Sequence, residues 1–315
     1  MSLRIDGARP ALVSPRRMKA LRANLEGWLW ASPFLIGFVL FTAGPFAASL
    51  VLSFTDWDIV SPPEFVGLAN FVEAFTDDKQ TWHSLEVTTV FAETSVPLSL
   101  FFGLALALAL NAKIRGLEVY RTVYYLPAVI SGVAVAFMWK WILASDWGVV
   151  SILLSYVGIE APGWLTDPAW ALPSVVMMSL WGVGGAMVIY LAGLQGIPTD
   201  LYEAAEVDGA GWLARLRHIT LPMMTPVLFF QLLMGLIGAL QTFTQIFILT
   251  NGGPQYATNF FMLHLYQRAF KDFRMGYGSA LAWILFVYIM ILTLIVLRTS
   301  RSWVYYEGEL RGAKR

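Results

Sequence analysis

The stretch Met275–Leu297, MGYGSALAWILFVYIMILTLIVL, contains 23 consecutive residues without Asp, Glu, Lys or Arg. A bilayer core about 30 Å thick is crossed by a helix of about 20 mostly apolar residues. The rest of the chain has the same character, because 57% of its 315 residues are hydrophobic and only 13% are charged, against roughly 25% charged residues in soluble domains. The stretch therefore predicts a membrane-spanning helix, and the composition excludes an ordinary soluble enzyme and a disordered chain.

Five more apolar stretches precede this one. The predicted spans cover residues 28–54, 88–112, 122–143, 169–196, 223–249 and 276–297. The first span is about twice as long as the 7–15-residue core of a cleaved signal peptide, so we expect it to be retained. Asn251-Gly252-Gly253-Pro254 is a strong turn signal, and the short piece after it contains several polar residues. We interpret that piece as extramembrane or interfacial, which leaves an all-α protein with six transmembrane helices.

The distribution of charge predicts the orientation of these spans. The formal net charge of the chain is zero, so it lacks the basic surplus of a nucleic-acid binder. The tails and loops between the spans alternate between the two sides of the membrane. Those on one side contain 16 Lys and Arg and nine Asp and Glu, whereas those on the other contain five Lys and Arg and 11 Asp and Glu. Cytoplasmic loops carry the excess of Lys and Arg, which predicts cytoplasmic tails at residues 1–27 and 299–315. Arg268, Lys271 and Arg274 are exceptions, because alternation places them outside.

Several kinds of chemistry are missing from the sequence. The chain has no cysteine, and none of its six lysines follows a glycine, as a phosphate-binding P-loop would require. His83, His218 and His264 fall on both sides of the predicted membrane, so we expect no metal site and no catalytic residues. Glu93 is the one carboxylate well inside a span. It belongs either to a proton relay or substrate path, or, as we favour, to the outer water layer.

The predicted cytoplasmic loop at residues 197–222 differs from the other loops. Asp200 and Glu203 have the spacing of a capping box, and Gly209 suits the left-handed residue that ends a helix. These signals predict a helix from Leu201 to Asp208. Leu201, Ala204 and Ala205 should share a face small enough to enter a groove on another protein, and Pro222 suits the start of the fifth span.

This loop resembles the loop motif of binding-protein-dependent ABC importer permeases. That pattern is Glu-Ala-Ala, three residues, Gly, nine residues, Ile, one residue and Leu-Pro, and here it is filled by Glu203-Ala204-Ala205, Gly209, Ile219 and Leu221-Pro222. Four further segments are similar to carbohydrate permeases of the maltose type: Ser53–Trp57, Phe65–Phe71, Tyr124–Pro127 and Thr250–Pro254. The chain resembles the shorter six-span sugar permeases, so we expect it to lack the large outer domain and the two extra N-terminal spans of the enteric maltose permease.

The resemblance implies a type I ABC importer transmembrane fold that forms half of a translocation path for a sugar or oligosaccharide. It implies a bacterial or archaeal cytoplasmic membrane, a second homologous permease subunit, two copies of a cytoplasmic ABC ATPase and an extracytoplasmic solute-binding protein. ATP and Mg²⁺ would be bound by the ATPase, and this chain would hold no cofactor. The residues that would couple it to the ATPase are Leu201, Tyr202, Glu203, Ala204, Ala205, Asp208, Gly209, Ile219, Leu221 and Pro222, with Glu203 holding the helix by a salt bridge or cap.

Polar and aromatic groups inside apolar helices are candidates for the substrate path. We select Trp181, Gly182, Gly185, Gln241, Thr242 and Gln245. Gln241 and Gln245 have the i, i+4 spacing that shares one helix face, and amides and an indole suit a neutral polyhydroxylated substrate. Hydrogen bonding between helices is the alternative role. A permease for glycerol phosphate or another polar solute also stays open, although no Lys or Arg lies deep in a span. An ion-coupled secondary transporter would need mid-membrane carboxylates, for which only Glu93 is available.

Overall fold

The computed structural model describes residues 15–112 and 115–305. The parts of the predicted tails that precede Pro15 or follow Tyr305, and the cytoplasmic charge of Lys113, lie outside the described residues. The chain divides into two compact units, Met1–Leu52 and Ser53–Arg315.

The described part of the chain is helical apart from one short ribbon. The helices are α1 Pro15–Phe38, α2 Gly44–Leu52, α3 Ala69–Thr76, α4 Lys79–Leu110, α5 Leu117–Val129, α6 Gly132–Ile142, α7 Val149–Tyr156, α8 Pro168–Leu180, α9 Gly184–Gln195, α10 Thr199–Val207, α11 Trp212–Arg215, α12 Leu221–Leu240, α13 Thr244–Leu249, α14 Phe261–Tyr266 and α15 Met275–Ser300. The strands β1 Thr55–Asp56 and β2 Glu64–Phe65 pair antiparallel, with Thr55 opposite Phe65. The all-α prediction is confirmed.

Four helices in the described residues are long and apolar enough to cross a membrane. They are Glu26–Leu52, Lys79–Leu110, Trp212–Leu249 and Met275–Ser300. Two bent pairs, α5 with α6 and α8 with α9, each supply a further span when the pair is counted as one. The six-span prediction agrees with the structure on that count, although three of the spans differ from the continuous helices that we predicted.

The third predicted span, 122–143, is wrong as a continuous helix. α5 and α6 meet at an angle of 98°, because Ile130 and Ser131 have extended backbones between them. Pro127 removes a helical hydrogen bond near this point, and Gly132 is a weak helix former. Together they explain why the helix breaks within an otherwise apolar run.

The fourth and fifth predicted spans are also interrupted. α8 and α9 are bent by 45° at Trp181–Val183, next to Gly184 and Gly185. The helix that contains the fifth span begins at Trp212, well before residue 223. After a π-helical turn at Leu216–Thr220, it continues as α12 to Leu240 and breaks before α13.

A π-helical turn precedes a proline in each unit. Val39–Ala43 comes shortly before Pro45, and Leu216–Thr220 comes shortly before Pro222. Proline cannot donate the i→i−4 hydrogen bond, and its ring clashes with the preceding turn. A wider turn relieves that clash and lets the helix continue. In the unit Met1–Leu52, the helix Glu26–Leu52 exposes most of its apolar side chains.

α4 is the central helix of the unit Ser53–Arg315. It packs against α3, α8, α9, α12 and α14. Gly103 on α4 allows close approach of α9, because a Cβ there would lie 3.0 Å from the Tyr190 ring. Ala107, one turn farther along the same face, is fully buried. A helix of 32 residues is about 48 Å long, so α4 connects the two ends of the bundle.

The segment after Asn251 is not a membrane span, as predicted, but it is far from superficial. Thr258, Phe260, Phe261 and His264 are all at most 2% exposed, and α14 packs between α4 and α15. This is burial within the protein, so the extramembrane or interfacial interpretation stays a prediction. Among its polar side chains, Gln255 is exposed, and the buried Asn259 amide has no hydrogen-bond partner in the described part of the chain. Thr258 donates to the Gly253 carbonyl at 2.6 Å.

A charged cluster fastens this segment to the start of α4. We define it as Asp78, His264, Arg268, Asp272 and Tyr277. Asp78 Oδ2 lies 3.2 Å from His264 Nε2 and 3.1 Å from Arg268 Nη2, and the Tyr277 hydroxyl donates to it at 3.0 Å. Arg268 also pairs with Asp272 at 3.1 Å. The cluster therefore gives acidic partners to Arg268, one of the basic residues that the charge distribution had placed on the outer side.

A second ion pair secures another of these arginines. Arg274 donates from both terminal nitrogens to the Glu73 carboxylate, at 2.7 and 2.6 Å, and its guanidinium stacks over the Tyr277 ring. Such a forked pair is among the stronger ionic contacts in proteins. The basic residues of this loop therefore serve local structure.

Candidate functional site

The helix α10 occupies the loop that carried the sequence motif. It covers Thr199–Val207, close to the predicted helix, but the capping box is wrong because Pro198 is the N-cap and no side chain caps the helix. Asp200 instead lies in the first turn, where a carboxylate favours the helix dipole. The predicted helix stop is confirmed: Gly209 has φ +75°.

The C-terminus of α10 is fixed by backbone hydrogen bonds. Gly209 N–H donates to the Glu206 carbonyl at 3.0 Å, and Ala210 N–H donates to the Ala205 carbonyl at 2.8 Å. This pair of bonds is a Schellman motif, which needs a left-handed residue where Gly209 stands. The direction in which the chain leaves α10 is therefore set by the backbone.

One side of α10 packs on the bundle and the other is exposed. The Tyr202 side chain contacts the core formed by the end of α4, α9 and the start of α12, and its hydroxyl lies 2.9 Å from Thr220 Oγ1. Leu201 and Ala204 are exposed, but Ala205 is half-buried, so the predicted common face is only partly free. Val207, 89% exposed, extends the free apolar surface.

The ion pair at this end involves Glu206 instead of Glu203. Glu206 Oε2 lies 3.5 Å from Arg215 Nη1, and the Glu206 side chain is 77% exposed. Exposed pairs of this kind contribute little, typically about 0–1 kcal/mol. Glu203 is exposed, and within the described residues it forms no ion pair. Its predicted salt bridge or cap is therefore not formed within this part of the chain.

The remaining motif residues belong to the helix that follows α10. Asp208 is the C-cap of α10, Ile219 lies in the π-helical turn, and Leu221 and Pro222 begin α12. Ile219 packs into the same core as Tyr202. The motif thus joins an exposed helix to a long helix of the bundle through only a few residues.

Two adjoining cavities lie within the bundle, at the level where its helices are broken. One has a volume of about 260 Å³ and the other about 200 Å³. Both are lined by Phe91, Ser179 and Thr242. The described residues that line them include hydroxyls, amides, aromatic rings and apolar groups, and none is charged.

Four of the six predicted path residues line the smaller cavity. They are Trp181, Gly182, Thr242 and Gln245. Gln241 is exposed and lines neither cavity. Gly185 packs against Ala128: a Cβ placed on Gly185 would lie 3.4 Å from the Ala128 Cβ. The prediction that Gln241 and Gln245 share a helix face is wrong, because α12 ends at Leu240 and α13 begins at Thr244.

The helix breaks explain the position of this cavity. The α5–α6 break contributes Ile130 and Gly132, the α8–α9 break Trp181 and Gly182, and the α12–α13 break Thr242. Irregular backbone at membrane depth is tolerated where it is buried in protein or lines a cavity. The same residues that interrupt the three spans therefore form a polar lining inside an apolar bundle.

Sequence analysis did not select several residues that line the larger cavity. They include Ser95, Ser99, Tyr190 and Gln231. The Tyr190 hydroxyl is buried and has no hydrogen-bond partner in the described part of the chain. Two signals could have identified this lining: Ser95 and Ser99 have i, i+4 spacing, and Gln231 is an amide within an apolar span.

Glu93 does not line either of these cavities. Its side chain is exposed, whereas the neighbouring Phe91, Ala92 and Ser95 are buried toward the bundle. Within the described residues it has no ion-pair partner. A path role for Glu93 inside this subunit therefore finds no support in the geometry.

Comparisons with known proteins agree with this architecture. Residues 99–306 match the family described as binding-protein-dependent transport system inner membrane component. A probable ABC transporter permease protein of Bacillus subtilis, YesP, is 46% identical over 290 residues, covering 91% of this chain and 94% of that protein. The trehalose/maltose transport system permease protein MalF of Thermococcus litoralis is 33% identical, covering 90% and 96% of the two chains.

A solved structure is similar over nearly the same extent. It is a bacterial ABC transporter involved in the import of the acidic polysaccharide alginate. The superposition has a TM-score of 0.81 at 25% identity and covers 91% of this chain and 99% of the matched chain. The helical bundle with its broken spans is therefore a known permease fold.

Proposed function

Because the chain belongs to the family of binding-protein-dependent transport system inner membrane components, we propose that it forms half of the path by which an ABC importer moves a neutral sugar or oligosaccharide. As a member of that family it is a translocating membrane subunit and not an enzyme. The proposed location is the cytoplasmic membrane of a bacterium or archaeon, with both termini on the cytoplasmic side.

The observation that carries the sugar assignment is the neutral polar lining of the two central cavities. Trp181 offers a ring for stacking, while Gln245, Thr242, Ser179 and Gln231 offer amide and hydroxyl hydrogen bonds. Neutral polyhydroxylated molecules are recognised by a small number of such groups in an otherwise apolar pocket. An anionic solute such as glycerol phosphate would need Arg or Lys, which neither lining contains.

The exposed surface of α10 supports coupling to an ATPase. Leu201, Ala204 and Val207 present apolar atoms to the surroundings of this chain, and small side chains allow a close fit into a partner's groove. The proposed assembly contains a second permease subunit, two cytoplasmic ATPases that bind ATP and Mg²⁺, and an extracytoplasmic solute-binding protein. This chain itself holds no cofactor in the proposal.

Uptake by the complete importer in proteoliposomes tests the function. Radiolabelled maltotriose, lactose and glycerol phosphate are suitable probes. We expect ATP-dependent uptake of a sugar, and we expect Gln245→Ala to reduce uptake about 10-fold or more, since one lost hydrogen bond to a substrate in a buried site weakens it by about 1.4 kcal/mol. Gln241→Ala is the matched control and should change uptake by less than about twofold.

Two results would contradict the proposal. Uptake of glycerol phosphate but of no sugar would overturn the substrate class. Normal sugar uptake in both Gln245→Ala and Trp181→Ala would remove the two cavities from the path. Membrane levels of each variant, measured by immunoblot, separate loss of transport from loss of the protein.

A further inference from the structure

A third cavity lies at the opposite end of the bundle from α10. Its volume is about 830 Å³, and its lining comes from the end of α6, the turn that follows it and the chain after α13. Ligand pockets usually occupy roughly 300–1,000 Å³, so this one has room for more than one sugar ring. None of the residues on which the proposed function rests lines this cavity.

Two helices connect this cavity to the central ones. α6 and α13 pack side by side. Gly132 and Gln245 line the smaller central cavity, whereas Lys140 and Leu249, farther along the same two helices, line the third cavity. The eight-residue separation along α6 corresponds to about 12 Å. A solute that leaves the third cavity along this helix pair therefore reaches the central lining.

The third cavity presents aromatic rings beside a free carboxylate. The Trp141 and Trp147 rings contact one another, with centroids 5.9 Å apart, and both side chains are more than half exposed, at 53% and 55%. Asp146 lies between them in sequence and has no ion-pair partner among the described residues. Exposed indole faces and an unused acceptor are the groups that bind a pyranose ring.

The turn that carries these groups is held in place. Gly148 N–H and the Ser151 hydroxyl both donate to the Ala144 carbonyl, at 2.9 and 3.0 Å. A Cβ at Gly148 would collide with backbone carbonyls, so the turn depends on glycine. Lys140 donates to the Ile248 carbonyl at 2.9 Å, which uses one of its three donors and leaves two for a ligand hydroxyl.

A fourth cavity of about 530 Å³ continues from Asp146 and adds a second carboxylate. Asp146 and Ser145 line both spaces. The continuation adds the hydroxyls of Ser151 and Ser155 and the carboxylate of Glu160. Among the described residues, the two cavities together are lined by two carboxylates, Asp146 and Glu160, and one cation, Lys140. The carboxylates of a uronic acid chain would be repelled by this net negative charge.

We propose that the groove around Trp141, Trp147 and Asp146 is an entry subsite for a neutral oligosaccharide, which is held there before it moves along α6 and α13 to the central cavities. The proposal rests on the proposed function for the direction of transport, but the binding itself can be measured on the isolated chain. Interface anchoring by tryptophan is the competing explanation, and it predicts no sugar binding.

A single-cysteine reporter tests this subsite. The chain has no cysteine, so Ser145→Cys introduces the only thiol available to a maleimide. With the full chain in nanodiscs, maltotriose should slow alkylation about threefold at twice its dissociation constant, because protection follows 1 + [L]/Kd. An alginate trisaccharide at the same concentration should protect less.

Further substitutions in the Ser145→Cys background identify the binding groups. Trp141→Ala and Asp146→Asn should each remove at least half of the protection, whereas Trp141→Phe, which keeps a ring, should retain most of it. Tyr156→Ala is the matched control: Tyr156 is an aromatic residue on α7, 82% exposed, and it lines neither cavity of the groove. Its protection should equal that of the parent.

The outcomes separate this proposal from the proposed function. Equal protection in the parent and in Trp141→Ala, or no protection by maltotriose and lactose while the complete importer still takes up either sugar, would overturn the entry subsite alone. Failure of the importer to take up any sugar would overturn the proposed function. Sugar protection that Trp141→Ala abolishes and Tyr156→Ala preserves would support the subsite.

Discussion

The two ends of α4 are secured in different ways. At its start, Asp78 accepts from Tyr277, His264 and Arg268 in a site where only 7% of the Asp78 side chain is exposed. At its other end, α10 is held by the Schellman motif at Gly209, one Tyr202–Thr220 hydrogen bond and an exposed ion pair. The first end is locked by buried side-chain charge, and the second is shaped by the backbone and left open to a partner.

This difference has a physical reason. In the proposed function a protein partner docks on α10, and it would need an accessible surface whose shape the backbone fixes. The opposite end has to hold a long segment, residues 250–274, against α4 and α15, and buried ion pairs specify such an arrangement even when their net contribution is small.

The largest effect is expected at Gly209. Gly209→Pro should abolish uptake while the subunit stays in the membrane, because proline requires φ near −65° and Gly209 has φ +75°. Uptake per unit of membrane-inserted protein is the measurement. Gly211→Ala is the matched control, since no atom lies within 4 Å of a Cβ there and its φ is −68°. Wild-type uptake in Gly209→Pro would contradict a coupling role.

A smaller effect is expected at the charged cluster. Asp78→Ala removes the shared acceptor and leaves Arg268 and His264 without it, which should destabilise the protein by about 3–5 kcal/mol, the usual loss when one partner of a buried pair is removed. The thermal unfolding midpoint in detergent measures it. Asp272→Ala, at a 44% exposed side chain, should lower stability by no more than about 1 kcal/mol. Equal losses in both variants would contradict a buried hub at Asp78.

The smallest effect is a pH dependence of the same cluster. Burial lowers the pKa of His264, and the charge on Arg268 lowers it further, whereas Asp78 raises it. The pKa of His264 is therefore below the ordinary histidine value. The unfolded chain therefore binds the proton more readily, so stability should rise with pH up to about 6.5 and fall on acidification. Asp272 and Tyr277 also face this site. The pKa of Asp78 is also lowered, because His264, Tyr277 and Arg268 outweigh the effect of burial, which raises it. The stability that ionised Asp78 contributes is therefore lost only in stronger acid.

His264→Gln isolates this effect. Glutamine keeps a polar side chain and cannot take up a proton, so the slope of the unfolding midpoint between pH 5 and pH 7 should be shallower than in the parent. The exposed His218 provides the control, and His218→Gln should leave the slope unchanged. A steeper slope in His264→Gln would contradict the assigned direction.

The apolar spans and the motif loop could be predicted from the sequence, but the breaks within the spans could not. Hydropathy predicted spans at residues 122–143 and 169–196, and the bent pairs α5–α6 and α8–α9 overlap these ranges with enough length and apolar composition to cross a membrane. Pro127 and Gly132 are local signals that weaken the helix, but they do not determine the 98° angle between α5 and α6, at which Gln245 packs against Gly132. That pairing joins residues more than 100 positions apart, and no local pattern reveals it.

The candidate site was predictable to the same extent. Trp181, Gly182, Thr242 and Gln245 were chosen as polar or flexible residues inside apolar runs, and the structure brings them to one cavity. Gln241 was chosen from a helical spacing that the break at Thr242–Phe243 removes. The capping box at Asp200 was wrong because the helix begins two residues earlier, at Thr199 after Pro198. The buried Asp78–His264 contact had no sequence signal, since its residues are 186 positions apart.

The helix that starts at Trp212 gives the bundle a mechanical lever. Only four residues, Asp208–Gly211, separate α10 from this helix. The helix runs through the π-helical turn to Leu240, a length of about 43 Å at 1.5 Å per residue. A rigid rod of that length that pivots by about 5° at the Trp212 end moves its far tip by about 4 Å. The far tip carries Ala239 and adjoins Thr242, both in the cavity wall, so in the proposed importer a tilt of this size would change the width of the cavity by about the size of a sugar hydroxyl.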